Sequence, residues 1–353
     1  MTDGMLVLNT KNQYTTIKLY ATDDANYQTV LSTATTTLST FDVRDFVIAY
    51  MEANDVTANG EYEYQVVVES ANYKGVYATE KFVPITQASE FDALIYDSAD
   101  WNGAATAQAG NFYFLTTNID ISSYNTWTGW AQNGLGLSLQ FSFDGRGYTI
   151  TNTYTYNMTN NYYGLAGYWG NGTANGNVFK RVWKNVHYKL DITCADGSVA
   201  RSFIGGAISN YDFYNCYFDV TVTDNTTADV GLFSLNSNSK MTNCVIQITE
   251  KGSNTTKVVG NGDSTDGGSL VDCVVISSKV SETSVVTNVA NKSATANAVY
   301  GYTTLANFVA GNSGYKATCS RCTGSGNSGF ARRTGVEPVH EADQTAGRNE
   351  SAQ

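Results

Sequence analysis

The sequence predicts an all-β chain: a solenoid of stacked parallel strands, preceded by a small β-sandwich and followed by a flexible tail. Three observations carry that expectation. A short motif recurs at steps of 30, 28 and 29 residues, anchored on Asn185, Asn215, Asn243 and Asp272. After each anchor, apolar and polar residues alternate, which is the period of a strand with one buried face. The composition suits packed β-structure, with 12% aromatic and 15% charged residues and only 2 prolines in 353 residues.

The same figures exclude several classes. Disordered chains need high charge and few aromatics. The 32 glycines show no period of three, so the chain is not collagen-like. No apolar run approaches the roughly 18 residues that a membrane-spanning helix needs. A formal charge of −11 leaves no basic footprint for nucleic acid. Met1-Thr2-Asp3-Gly4-Met5 has neither a basic nor an apolar signal region, so no secretory signal is expected.

Residues 1–88 lack the repeat. Tyr14–Tyr20, Gln28–Leu31, Glu61–Val68 and Val76–Val83 read as strands. Val43, Phe46, Val47, Tyr50 and Met51 fall on one helical face, with Ser39 or Thr40 as the expected cap. The last two strands resemble the closing strands of an immunoglobulin- or fibronectin-type sandwich. Pro84 cannot donate within a continuing ladder, which places a junction near residues 85–92. The expected domains are therefore 1–88, 89–318 and a tail over 319–353.

In the repeat, one face after Asn215 carries Cys216, Phe218, Val220 and Val222, and the other carries Tyr217, Asp219, Thr221 and Thr223. After Asn243 the apolar face is Cys244, Ile246 and Ile248; after Asn185 it is Val186, Tyr188, Leu190 and Ile192. The fourth copy is less clear, because Val274 and Ile276 compete with Cys273 and Val275 for the inward side. Glycine-rich segments precede the anchors: Gly164–Gly167, Ile204–Gly206, Gly231–Phe233 and Gly267–Leu270. Coils stacked at about 4.8 Å would place Val186, Cys216, Cys244 and Cys273 in one interior column. That column reads as small apolar filler rather than as a redox or metal site. Asn185, Asn215 and Asn243 would form a second column at a bend, their amides bonding to one another or capping backbone groups.

Upstream, Asn111-Phe-Tyr-Phe-Leu-Thr-Thr-Asn118-Ile-Asp120 is followed by Phe143-Asp-Gly145-Arg-Gly147-Tyr-Thr-Ile150, then by Tyr163-Gly-Leu165-Ala-Gly167 and Val182-Trp-Lys-Asn185-Val186. Over residues 90 to 310 this order resembles the right-handed parallel β-helix of the pectate-lyase-like superfamily. It is nearest to bacterial and phage surface proteins with Gly-Leu-x-Gly repeats. The resemblance implies a right-handed β-helix. Its motifs are structural and speak to fold rather than activity. Ala166 stands where a bulky residue is usual, and the later glycine segments are degenerate.

After Phe330 the aromatics end, and Ala331–Gln353 reads as a mobile tail. Cys319-Ser-Arg-Cys322 is a lone CxxC, open to readings as surface thiols, a local disulfide or half of a metal site. A structural zinc site needs four ligands, and only His340 lies nearby.

Enzymes on such folds mostly cleave polysaccharides. The outward acids are Asp191, Asp219 and Asp212. Asp191 and Asp219 lie on neighbouring coils, offset by two residues, so about 8 Å separates them by strand geometry. That suits an inverting glycosidase, and it equally suits a solvated acidic face. Arg146, Arg181 and Arg201 are scattered; Arg146 belongs to a turn, and no calcium-assisted lyase site is legible. With only His187 and His340, no Ser-His-acid triad is expected, and His187 reads as an outward strand residue. Gly145 and Gly147 precede no helix that would cradle phosphate. Sequons at Asn157, Asn171, Asn225, Asn254 and Asn291 are what chance gives in a chain this rich in Asn and Thr. No cofactor and no metal are expected.

Tyr154, Tyr156, Tyr162, Tyr163, Tyr168 and Trp169 cluster, with Trp127 and Trp130 before them. These rings either pack beneath a loop and cap the solenoid, or lie against sugar faces. Trp127, Trp130, Tyr162, Tyr163, Tyr168 and Trp169 are the candidate ligand contacts. The expected function is a non-catalytic extracellular or virion surface protein, fibre- or adhesin-like. Its partners would be a carbohydrate or cell-surface receptor and neighbouring structural subunits, with no nucleic acid and no membrane. It would be a trimer, or a filament through open solenoid ends. The alternative is a tailspike-type depolymerase using Asp191 and Asp219. A structural repeat without a ligand is the third reading.

Overall fold

The computed structural model describes residues 4–8, 14–97, 111–124, 138–139, 141–158, 166–169, 173–174, 177–178, 181–197, 201–208, 211–225, 230–235, 239–259, 268–279, 295–297 and 299–311. Cys319, Cys322 and the expected tail lie outside these residues.

Besides the ribbon of Met5–Val7 with Thr40–Asp42, the N-terminal residues form a four-stranded antiparallel sheet. Its strand order is Ser32–Thr36, Thr15–Ala21, Tyr64–Ser70, Tyr73–Ala78. The period-two pattern buries Ile17, Leu19, Val66 and Val68 on one face. The helix Val43–Ala53 covers that face with Val43, Val47, Ile48 and Met51, while Phe46 and Tyr50 are half-buried. Its N-cap is Asp42, whose side chain accepts the Asp45 N–H, rather than Ser39 or Thr40. Thr40–Asp42 pairs with Met5–Val7, so the helix starts only where that ribbon ends. The strand expected at Gln28–Leu31 begins later, at Ser32. The Asp24 carboxylate takes the N–H groups of Gln28 and Thr29, and Tyr27 adopts φ 53°, which holds that stretch as a turn.

The strand expected over Val76–Val83 is two strands. Tyr73–Ala78 ends the antiparallel sheet, and Lys81–Ile85 pairs in parallel with Asn111–Leu115. The change of pairing falls at residues 79–80, ahead of the expected junction. Pro84 lies inside the second strand, which is the end strand of its sheet, where a missing N–H is tolerated.

From Lys81 onward the chain winds as a β-solenoid with three parallel sheets. The eight-stranded sheet starts at Lys81–Ile85 and runs through Arg181–Lys184, Tyr211–Tyr214 and Lys240–Thr242 to Thr295–Asn297. The seven-stranded sheet includes Thr149–Met158, His187–Gly197, Tyr217–Asp224, Val245–Glu250, Val274–Ser277 and Tyr300–Tyr302. The five-stranded sheet includes Ala166–Trp169, Arg201–Ile208, Val230–Leu235 and Lys257–Val259. The first three glycine-rich segments fall on or beside strands of this last sheet. The fourth runs into Ser269–Val271 of the eight-stranded sheet, so it is not their equivalent, and the uneven spacing follows.

Between the eight- and seven-stranded sheets the chain turns at Asn185, Asn215, Asn243 and Asp272, all at φ between 51° and 55°. Asparagine and aspartate are the non-glycine residues that best tolerate this left-handed conformation. Asn243 Nδ2 donates to Asn215 Oδ1 at 2.6 Å, and Asn215 Nδ2 to Asn185 Oδ1 at 3.4 Å. Asn185 Nδ2 continues the row to Asp144 Oδ1 at 3.0 Å. One residue further, Val186, Cys216, Cys244 and Cys273 are buried side by side, and the three cysteines are free thiols. Each sulfur donates to interior backbone carbonyls, Cys216 to Trp183 O at 3.5 Å and Cys273 to Met241 O at 3.5 Å. Burial pushes the Cys244 and Cys273 thiols well up, and each also meets a neighbouring thiol. They are filler, not nucleophiles.

Rings stack through the interior: Phe143 on Trp183 at 4.5 Å and Tyr188 on Phe218 at 5.3 Å. Tyr154 joins this interior, so its aromatic ring serves packing. The helix Ala88–Asp97 closes the first coil, with Phe91 and Leu94 in the solenoid core and Phe91 5.5 Å from Phe143. Its Glu90 reaches back to the Thr86 N–H at 2.7 Å. On the opposite side of the first strands, Phe82, Phe112 and Phe114 pack into the N-terminal core. That two-sided burial explains the unbroken apolar run Phe112–Leu115.

Replacing Asn215 by Ala keeps a φ that Ala disfavours and cuts the amide row. We expect a loss of about 1–3 kcal/mol. Asn215→Gly restores the conformational freedom and should cost less. Urea unfolding of both full-length variants checks the order.

Candidate functional site

Among the described residues, the outer face of the seven-stranded sheet carries aligned rows of polar side chains that no helix covers. The inward set described above is fixed by the left-handed corner, so the alternate residues point out. Strand pairing aligns them in rows across the coils. One row is Thr151, Lys189, Asp219 and Gln247; the next is Thr153, Asp191, Thr221 and Thr249. Beyond them, Thr155, Thr193 and Thr223 align. Towards the C-terminal coils the face turns apolar at Val245, Val274 and Ile276. There the helix Leu305–Gly311 covers it, with Phe308 packed 5.2 Å from Tyr302. This cover resolves the ambiguous fourth copy. Cys273 and Val275 point in, and the competing Val274 and Ile276 point out beneath the helix.

Beside the covered part, His187 stacks on Tyr217 with ring centroids 4.6 Å apart and an interplanar angle of 12°. His187 Nδ1 lies 3.2 Å from the Thr149 hydroxyl. The Tyr217 hydroxyl donates to Gln247 Oε1 at 3.1 Å, and Gln247 Nε2 donates to Asp219 Oδ1 at 3.3 Å. Tyr217, Gln247 and Asp219 thus form one oriented chain across two coils. Burial raises the Asp219 carboxyl above its ordinary value, opposed by Lys189 on the facing strand. Burial likewise raises the Tyr217 hydroxyl.

The structure brings Asp191 and Asp219 to this one face. Lys189 pairs with Asp219 and Asp191 with Thr221, so the offset is two positions on adjacent coils. The separation expected from strand geometry is about 8 Å. Asp212 is not an outward acid: it is buried, and its carboxylate accepts the Tyr214 hydroxyl at 3.0 Å. Tyr168 and Trp169 lie on the five-stranded sheet, away from this face. Trp127, Trp130, Tyr162 and Tyr163 lie outside the described residues. Among the described residues no group of three His, Cys, Asp or Glu side chains is placed to hold a metal ion, and no helix is long and apolar enough to cross a membrane.

A second polar cluster escaped the sequence. Lys184 reaches from the solenoid to Asp45 Oδ1 at 3.0 Å and to Asp42 and Asp144, each at 3.6 Å. Arg146, in its turn at φ 52°, bonds Glu52 at 2.7 Å. Arg44 forms a two-pronged pair with Glu80 and lies 4.4 Å over the Phe112 ring. These contacts join residues up to 139 positions apart, which no local pattern announces.

The imidazole gives the face a pH signature. Burial, with Lys189 alongside, pushes His187 down to about 4, so the ring is neutral at pH 7. The unfolded chain takes up that proton near 6.5, so this residue favours unfolding increasingly as pH falls from 6.5 to about 4. His187→Phe keeps a ring on Tyr217 and removes the proton. Between pH 7 and pH 4 the wild type should lose on the order of 3 kcal/mol more stability than the variant. Paired urea titrations at the two pH values check this.

No protein family, curated protein or solved structure matches the chain.

Proposed function

We propose that the chain is a non-catalytic surface module of an extracellular or virion assembly, presenting the outer face of its seven-stranded sheet to carbohydrate. One observation carries this reading: an aligned, uncovered array of threonine hydroxyls, with the Lys189–Asp219–Gln247 row beside it, on a rigid sheet. Hydroxyl, amide and charged groups at fixed spacing are what polyol recognition requires. The array is held by backbone ladders, so little order has to be imposed on binding. The helix plug on the first coil favours side-by-side over end-to-end association with neighbouring subunits.

Glycan-array screening followed by titration tests the reading. Thr221→Val and Asp219→Asn should each weaken the selected glycan by roughly five- to tenfold, the effect of about one lost hydrogen bond. Thr33→Val, on the edge strand of the N-terminal sheet, should leave it unchanged. Failure of any glycan to bind, or loss with Thr33→Val only, rejects the face as the site.

The raised Asp219 carboxyl favours one second reading, a polysaccharide depolymerase with Asp219 as general acid and Asp191 as base. That reading requires release of reducing ends by the wild type, and at least a hundredfold loss in Asp219→Asn.

A further inference from the structure

We propose that Lys184 and Asp45 condense into an intramolecular amide, which staples the N-terminal helix to the solenoid, with Asp144 as the proton shuttle. Lys184 sits at the end of a solenoid strand, with its side chain 13% exposed. Its Nζ lies 3.0 Å from Asp45 Oδ1, in the first turn of the helix Val43–Ala53. The pair is thus already in contact, the arrangement in which an intramolecular reaction gains most over its bimolecular counterpart.

Asp144 makes this more than an ion pair. It is fully buried. Its Oδ1 is occupied, accepting the Arg146 N–H at 2.8 Å and Asn185 Nδ2 at 3.0 Å. Its Oδ2 makes no hydrogen bond and faces Lys184 Nζ at 3.6 Å. A buried carboxylate oxygen with no hydrogen bond, aimed at a buried amine, is placed to accept a proton from it. Asp42 Oδ2 also lies 3.6 Å from Nζ, but its side chain is 10% exposed, whereas that of Asp144 is fully buried.

Burial raises the Asp45 carboxyl, which favours its protonated, electrophilic form. Burial alone would lower Lys184, yet the three aspartates hold its ammonium above the ordinary lysine value. A proton must therefore leave through one of them before nitrogen can attack. In the proposed step, the ammonium proton passes through Asp144 to the Asp45 carboxylate. The neutral Nζ attacks Asp45 Cγ, forming a C–N bond. Asp144 then takes a proton from that nitrogen and gives it to the departing hydroxyl, and a Cγ–O bond breaks. One ammonium and one carboxylate become one amide and one water, with no change in charge and no oxidant.

Intact-mass spectrometry of the folded full chain is the test. The wild type should be lighter than its sequence mass by one water. A protease digest should yield a branched peptide joining the segments of Asp45 and Lys184. Lys184→Arg and Asp144→Asn should have their full sequence masses while circular dichroism shows a native fold. Asp45→Asn should lose ammonia in place of water. A folded wild type at its full sequence mass overturns the proposal. So does a water loss confined to a linear peptide at Asp45, as a succinimide would give. If Asp144→Asn does not fold, the wild-type mass and Lys184→Arg still decide.

Discussion

The left-handed corner is the constraint on which the architecture rests. At Asn185, Asn215, Asn243 and Asp272 the backbone takes the same unusual conformation, coil after coil. That repetition fixes where the chain leaves one sheet and enters the next. It thereby fixes the parity of every following side chain, because a one-residue slip would exchange the two faces of the strand. The buried thiol file and the outward threonine rows are two results of the same parity. The corner side chains also hold each other through their amides, so the conformational cost at one coil is offset by a bond to the next.

The rest of the fold closes what the corner leaves open. A solenoid has two ends and exposed sheet faces, and each is a hazard for uncontrolled association. The helix Ala88–Asp97 fills the first coil with Phe91 and Leu94. The helix Leu305–Gly311 covers the outward Val245, Val274 and Ile276. The N-terminal sheet and its helix cover Phe82, Phe112 and Phe114. Among the described residues, the part of the seven-stranded sheet that no helix covers is polar, and for that reason it is the face to consider for recognition.

Much of this was legible in the chain. The anchors, the alternation after them and the inward cysteines follow from strand geometry, which acts locally. The helix face at Val43–Met51 was legible for the same reason, although Ile48 joins it fully buried while Phe46 and Tyr50 pack at its edge half-buried. Three of the misread boundaries share one cause, unlike the strand start at Ser32, which the local Asp24 turn sets. Thr40, Lys81 and Pro84 obey partners distant in sequence: the Met5–Val7 ribbon in the first case, the Asn111–Leu115 strand in the others. The Asp191 and Asp219 register was legible because both count from an anchor. The chain Tyr217–Gln247–Asp219 and the Lys184 cluster were not, since they depend on side-chain reach across coils or between the two units.

The clamp between the N-terminal unit and the early coils gives the molecule a direction. In a linear stack each coil is held chiefly by its neighbours, so disassembly starts at whichever terminus is least restrained. Arg44 over the Phe112 ring, Arg146 with Glu52, and Lys184 with Asp42 and Asp45 all grip the same early stretch. Among the described residues, the other end of the stack carries the short strand Tyr300–Tyr302 and a seven-residue helix. Force applied along the stack would therefore peel it from that end, coil by coil, and leave the gripped end as the template on which the remainder rewinds.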